Sequence, residues 1–377
     1  MKQLTIISHT EHYKTAHGEL VGFGATVTEI NHLLEVFDKI VHVAVWHEGI
    51  PPDSALPYIS KQIEFVALPA IGGKRFIDKI YLLLQAPLVL STVHKALKES
   101  THFQFRAPTG MGVYVIPYLI FFSGKKGWFK YAGNWKQEHA PFAYRFQRWL
   151  LKSQNRPVTI NGHWPNQPKH CLSFENPCLT QTELQSGSLC RKTKVLPTRR
   201  SFCFVGRLDA SKGVELFIDS LIALSEYYKA LIDNVHIVGE GTDGDIYQKR
   251  LGDSGISSTY HGTLSRTTLH QIYEICHFIV LPSKSEGFPK VISEALNYGC
   301  VPVVSNVSAI GQYISDGVQG VLINEISKIG LQPKLEECLN MSPEQYKHFI
   351  SQPEDFYNQF TYSFYNSRIQ NEILKSD

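Results

Sequence analysis

Four apolar residues without alternation, Phe202-Cys203-Phe204-Val205, run into the loop Gly206-Arg207-Leu208-Asp209-Ala210-Ser211-Lys212-Gly213, which opens onto a helical run from Val214 to Leu221. A short unbroken apolar run reads as a strand buried on both faces, and strand, loop and helix in that order begin a parallel crossover. The same alternation recurs along the chain. Strands are expected near residues 4–8, 40–45, 63–68, 102–105 and 157–160, with a helix over 25–37. The pattern predicts an α/β fold in which parallel sheets with right-handed crossovers occur twice. At 377 residues the chain exceeds what one core usually organises. Residues 175–198 contain Asn176-Pro177 and several Gln, Ser and Gly without clear periodicity, and read as the connection between a first domain over 1–180 and a second over 198–355.

The second domain carries the chemistry. Glu286-Gly287-Phe288-Pro289-Lys290-Val291-Ile292-Ser293-Glu294 places two carboxylates across a turn into a helix. Free N–H groups at such a helix start, with the positive end of the dipole, suit an anion. Glu294, more than a turn inside, suits neighbouring sugar hydroxyls instead. Upstream, Arg207 and Lys212 stand at either end of a loop at the carboxyl end of a strand, where ligands of open α/β sheets bind. Two cations there can neutralise a diphosphate and stabilise it as a leaving group. Taken singly, each of these charges is more often a solvated surface group; jointly, in this order, they point to a nucleotide sugar.

The segments GRLDASKG (Gly206 to Gly213) and EGFPKVISEA (Glu286 to Ala295) resemble those of retaining glycosyltransferases of the family-4 type. Val235 to Gly241, Tyr260 to Leu264, Cys300 to Ser305 and Asp316 to Gly320 resemble further landmarks of that family, so the likeness spans roughly residues 200–325. It implies the GT-B fold, two Rossmann-like domains facing across a cleft that closes over the donor, with a C-terminal helix over 356–377 packing back on the first. It further implies that Gly206, Arg207 and Lys212 meet the donor diphosphate, that His261 lies on the base side, and that Glu294 holds the ribose. Gly287 and the backbone amides of Phe288, Lys290 and Val291 would hold phosphate and sugar, and Glu286 would stand near the reacting carbon. Arg207, Lys212 and Glu286 are the residues to which catalysis is assigned. A sugar-nucleotide epimerase of the same plan, or a non-catalytic relative that binds donor or glycan, remains an alternative.

The first domain, expected to bind the acceptor, says less. Gly22 and Gly24, with Gly18, fall after the first strand, where backbone can approach a ligand, but no third glycine follows at dinucleotide spacing. Many members of the resembled family keep a histidine after a middle strand; here the stretch reads Lys130 to Trp135, with Asn134 able to orient a hydroxyl but not to take its proton. His9, His12, His17, His139 and His163 are weaker candidates, and Arg106 is the better-placed cation.

Residues 1–180 hold 19 Lys and Arg against 12 acids, whereas residues 181–377 hold 18 against 22. Residues 74–152 alone hold thirteen against three, with Phe76, Tyr81, Trp128, Phe129, Tyr144, Phe146 and Trp149 interleaved. Such a stretch suits peripheral contact with an anionic membrane or a lipid-diphosphate acceptor, and equally a solvated face. No nucleic-acid partner is expected. The apolar run 111–122 contains Pro117 and is too short to span a bilayer. Seven cysteines without CxxC suggest neither disulfides nor zinc, and the N-terminus reads as a buried strand rather than a leader, so a cytoplasmic enzyme, at most at the inner face of the plasma membrane, is expected. Asp243-Gly244-Asp245 imitates a metal-binding DxD string, yet two cations already supply the needed charge; no metal and no cofactor is expected.

Overall fold

The computed structural model describes residues 1–73, 75–241 and 243–375; Lys74, within the basic stretch, lies outside the described residues, as does the side chain of Phe76. Contacts divide the chain into two units, Met1–Glu175 with Tyr362–Asp377, and Asn176–Thr361. The fold is α/β, each unit built on a largely parallel sheet.

In the first unit nine strands pair: β1 (Gln3–Lys14), β2 (Leu20–Phe23), β3 (Lys39–Trp46), β4 (Ala55–Pro57), β5 (Ile63–Leu68), β6 (His102–Ala107), β7 (Lys126–Tyr131), β8 (Val158–Ile160) and β9 (Cys171–Ser173). The parallel order is β5-β3-β1-β6-β7-β8-β9, while β2 and β4 join antiparallel along the far half of β1. Side chains alternate between faces with period two. On one face Ile7, Val41, Phe103 and Phe129 pack under helices Phe76–Leu84, Ala86–Leu97, Gly112–Phe121 and Phe142–Lys152. On the other, Leu4, Ile6, Ile40 and Trp128 meet Ile30 together with Tyr365, Ile369 and Ile373 from the chain's end.

The second unit has β10 (Arg200–Val205), β11 (Ile232–Val238), β12 (Ser258–Tyr260), β13 (Phe278–Leu281), β14 (Val301–Ser305) and β15 (Val321–Ile323), all parallel in the order β12-β11-β10-β13-β14-β15. Phe202, Phe204, Phe278 and Val280 enter one core; Cys203, Val205 and Ile279 enter the other. Burying each such aromatic or branched side chain stabilises by about 1.5–3 kcal/mol. Because both faces are covered, these strands must be apolar throughout. The strand order reverses between β10 and β13.

Several expected elements differ. The connection at 175–198 contains helix Gln181–Thr193, opened by a capping box in which the Thr180 side chain accepts from the Glu183 N–H (3.1 Å) and Glu183 from the Thr180 N–H (2.8 Å). The helix expected over 25–37 is Gly24–His32 followed by a 3₁₀ turn, Leu33–Glu35. The terminal helix is three pieces, Glu354–Asn358, Tyr362–Arg368 and a π turn at Ile369–Ile373, and only the last two belong to the first unit. β6 continues to Ala107, so Arg106 sits within a strand rather than after it.

Candidate active site

The order reversal of the second sheet leaves a crevice between the carboxyl ends of β10 and β13, and the two motif loops leave from those ends. They are stitched together: the Lys284 N–H donates to the Ser211 carbonyl (2.9 Å), and Ser283 Oγ donates to that of Lys212 (3.4 Å). Gly213, at φ +78° and capping helix Val214–Ile222, is obligatory, because a Cβ there would strike the Pro282 carbonyl of the other loop. Lys212 is thereby aimed across the crevice. Its Nζ lies 2.5 Å from Oε1 of Glu286, 74 residues away, with the two side chains only 24% and 10% exposed.

Asp209 holds the first loop in shape, its Oδ1 accepting from the N–H groups of Ser211 (3.0 Å) and Lys212 (3.2 Å). Burial alone would raise its carboxyl pKa, but hydrogen bonding from Ser211 and the nearby Arg207 charge bring it below the ordinary value. Arg207 points elsewhere than Lys212: it pairs with Asp209 at 3.1 Å and is 75% exposed. Gly206, at φ +155°, donates its N–H to the Val238 carbonyl (3.0 Å).

Pro289 caps helix Lys290–Asn297. The Phe288 ring is buried against Phe360 and Tyr313 and its carbonyl accepts from Asn176, so the ring is committed to the core. Val291 packs partly against both cores of the unit. Gly287 and Lys290 are half-buried beside the helix start. Glu294 is buried, and Arg266, which no motif marks, donates from Nη1 to its Oε1 at 2.9 Å. Arg266 is itself clamped, Nε and NH2 donating to the two oxygens of Glu183 at 2.7 and 2.8 Å and NH2 also to the Cys178 carbonyl. Burial would raise the Glu183 pKa; bonding to Arg266 outweighs it and lowers it. Bidentate geometry of this kind makes Arg266 a rigid support for Glu294. The signal that could have exposed the clamp was the Thr180 to Glu183 capping spacing, which places Glu183 in a first helical turn.

His261 stacks on His236, with ring centroids 5.2 Å apart and Nε2 2.9 Å from His236 Nδ1. Burial, with the neighbouring His261, lowers the His236 pKa to about 4; burial also lowers that of His261. Among the described residues no group of three or more His, Cys, Asp or Glu could hold a metal ion. Asp243 instead sits at the N-cap of helix Gly244–Asp253.

The first unit treats its candidates differently. Gly22 lies in β2, where a Cβ would meet the His12 ring at 2.6 Å, and a Cβ at Gly24 would strike the Ser54 carbonyl; both glycines are required by packing. Arg106 NH2 lies 2.8 Å and Lys130 Nζ 2.5 Å from the same oxygen of Glu29, which is 2% exposed. Asn134 Oδ1 accepts from the Lys136 N–H (3.0 Å). His12 Nε2 contacts the Tyr58 hydroxyl (2.7 Å), which contacts His42 Nδ1 (2.5 Å), whose Nε2 meets Ser8 Oγ (2.7 Å). Burial holds the His12 pKa at about 4 and that of His42 well below the ordinary range; burial lowers His9 as well. His17, His139 and His163 are exposed. A cavity of about 570 Å³ bounded by Lys125, Lys126, Arg156 and His170 lies at the amino ends of β7 and β8, away from the ligand-binding ends of the strands. Its cations serve helix ends: Lys125 donates to Lys98, Arg156 to Ile120 and Ser123, and His170 bonds Leu151, all at backbone carbonyls.

Residues 190–355 match the family described as "Glycosyl transferases group 1". An uncharacterized 41.2 kDa protein in the cps region of Klebsiella pneumoniae is 26% identical over 147 residues, 38% of this chain and 38% of that protein. Glycogen synthase from Flavobacterium johnsoniae is 28% identical over 34% of this chain and 27% of its own length. The aligned stretch thus spans well under half of these relatives. Among solved structures, HepE from Anabaena in complex with UDP-glucose superposes with a TM-score of 0.70 at 14% identity over 100% of both chains. Sucrose-phosphate synthase from Thermosynechococcus elongatus does so at 0.71 and 14%, again over 100% of both. Residues 190–355 are therefore similar to the group 1 glycosyl transferases, within a chain that has the fold of the GT-B glycosyltransferases.

Proposed function

We propose that this chain is a retaining glycosyltransferase that moves a hexose-type sugar from a nucleotide diphosphate sugar to a hydroxyl on a glycan or lipid-linked intermediate, in surface polysaccharide biosynthesis and without a metal ion. The observation that carries the reading is the Lys212–Glu286 pair, which joins a cation from one switch-point loop to a carboxylate from the other. Lys212 is the cation toward which the diphosphate departs, and Glu286 holds it in place until donor phosphate competes for the ammonium. The Glu286 carboxylate then opposes positive charge developing on the transferred sugar. Glu294, steadied by Arg266, accepts hydrogen bonds from the ribose hydroxyls. The UDP-glucose complex of HepE and the glycogen synthase relative support the donor class and a glycan acceptor.

The test is transfer from a panel of nucleoside diphosphate sugars, with product anomers read by NMR and EDTA present. Lys212→Ala should cost on the order of a hundredfold or more in kcat, with the melting temperature kept. Wild-type turnover in that variant, inverted product, or activity abolished by EDTA and restored by manganese would each overturn part of the assignment.

A further inference from the structure

Four consecutive helices, Phe76–Leu84, Ala86–Leu97, Gly112–Phe121 and Phe142–Lys152, lie side by side over one face of the first unit's sheet. Their inner residues are ordinary core: Val89, Val93 and Leu97 are at most 3% exposed. Their outer residues are not what water selects. Ile77 is 60% exposed, Leu83 60%, Leu84 70% and Leu88 54%, and Trp149 is 61% exposed on the last helix. There Phe142, Phe146 and Trp149 stack in sequence, with centroids 6.4 and 6.0 Å apart, forming an aromatic stripe along the surface. Isolated exposed apolar residues need no explanation, but a concentration of them on neighbouring helices marks an interaction surface.

The border of this surface is basic. Lys79, Lys95, Lys98 and Arg145 are exposed on the same helices, and residues 75–152 contain only three acids, Asp78, Glu99 and Glu138. Asp78 is already engaged by Arg75 at 3.2 Å. Like-charged rims would face each other if a second copy docked through this surface. Exposed leucine, isoleucine and aromatic side chains within a rim of lysine match the two layers of an anionic bilayer surface, acyl chains below and phosphates above. Spanning is a poorer fit. Among the described residues no single helix is long and apolar enough to cross a membrane; Ile77–Leu84 and Ala86–Leu97 reach that length only together, bent by 43°. The second of the pair is committed to the core through Val89, Val93 and Leu97.

We infer that this four-helix face of the first unit is a docking surface for an anionic lipid bilayer, with Ile77, Leu83, Leu84 and Leu88 entering the acyl boundary and the lysines meeting headgroup phosphates. The surface does not depend on the donor chemistry of the second unit. It is tested by co-sedimentation of the full chain with phosphatidylglycerol/phosphatidylcholine vesicles and with phosphatidylcholine alone, at low and high salt. Binding should require the anionic lipid and weaken with salt. The double substitution Leu83→Asp, Leu84→Asp should reduce it at least tenfold with an unchanged melting temperature, since neither side chain is buried. Lys79→Glu with Lys95→Glu should remove the preference for anionic vesicles. Absence of binding, equal binding by the leucine variant, or a dimer in sedimentation velocity that the leucine variant dissociates without any vesicle binding would overturn the proposal.

Discussion

At the carboxyl ends of the second unit's strands, Lys212 and Glu286 reach each other from two separate loops, whereas at the same ends of the first unit Glu29 draws Arg106 and Lys130 onto one oxygen inside the fold. Both are clusters of opposite charge near strand ends. One bridges loops at an order reversal, where the proposed function has a donor phosphate compete for the cation. The other ties a helix to two strands and is closed by Tyr365, whose ring lies 4.7 Å from Lys130 Nζ. Under the proposed function, the difference separates a charge pair that a ligand would open from one that holds elements together, and the first pair is also the more exposed.

The comparison breaks most visibly if Glu29 is removed. Glu29→Ala leaves Arg106 and Lys130 buried without their carboxylate and should destabilise the chain by about 3–5 kcal/mol. Lys212→Ala, by contrast, should leave denaturant midpoints in place, and equal midpoint losses in the two variants would erase the distinction. A smaller effect sharpens the donor side. Arg266→Lys cannot reproduce the fork that joins Glu183 to Glu294, so donor KM should rise roughly tenfold, within the range seen when a support of a binding group is lost, with kcat less affected. A kcat loss without a KM change would contradict that positioning role. Most diffuse is the effect of acid. His12 in the first unit, and His236 and His277 in the second, have folded-state pKa values of about 4, in each case chiefly through burial. Between about pH 6.5 and about 4 the unfolded chain therefore binds more protons, so stability falls as pH drops through that window and is fully retained above it. Thermal melts at pH 7.5 and pH 5 should show a decrease at the lower value; a flat profile would mean that these imidazoles are not neutral in the fold.

Legibility in the sequence followed the same division. The β10 strand, its loop and helix were readable because a doubly buried strand must be continuously apolar, and a loop that closes against another backbone must put glycine at Gly213. The approach of Lys212 to Glu286 was implied only indirectly, since no local pattern records a contact 74 residues long. Arg266 was invisible for that reason: a single arginine after the capping Ser265 has the signature of any helix start. Helix Gln181–Thr193 was hidden differently. Its apolar residues are few, so periodicity failed, although Thr180 and Glu183 stood at capping distance. In the first unit Gly22 and Gly24 have the sequence signature of room for a ligand, whereas the space they leave is filled by His12 and the Ser54 carbonyl.

The return of Tyr362–Asp377 to the first unit has a consequence for the order of assembly. One core of that unit takes Tyr365, Ile369 and Ile373 from residues made after the whole of the second unit. Residues 1–175 therefore emerge with an apolar sheet face only partly covered, by Ile30 and Leu33, while the second unit, one continuous segment, has all its strands in hand before Tyr362 is added. The half of the molecule that is made first is the half that must wait to be finished.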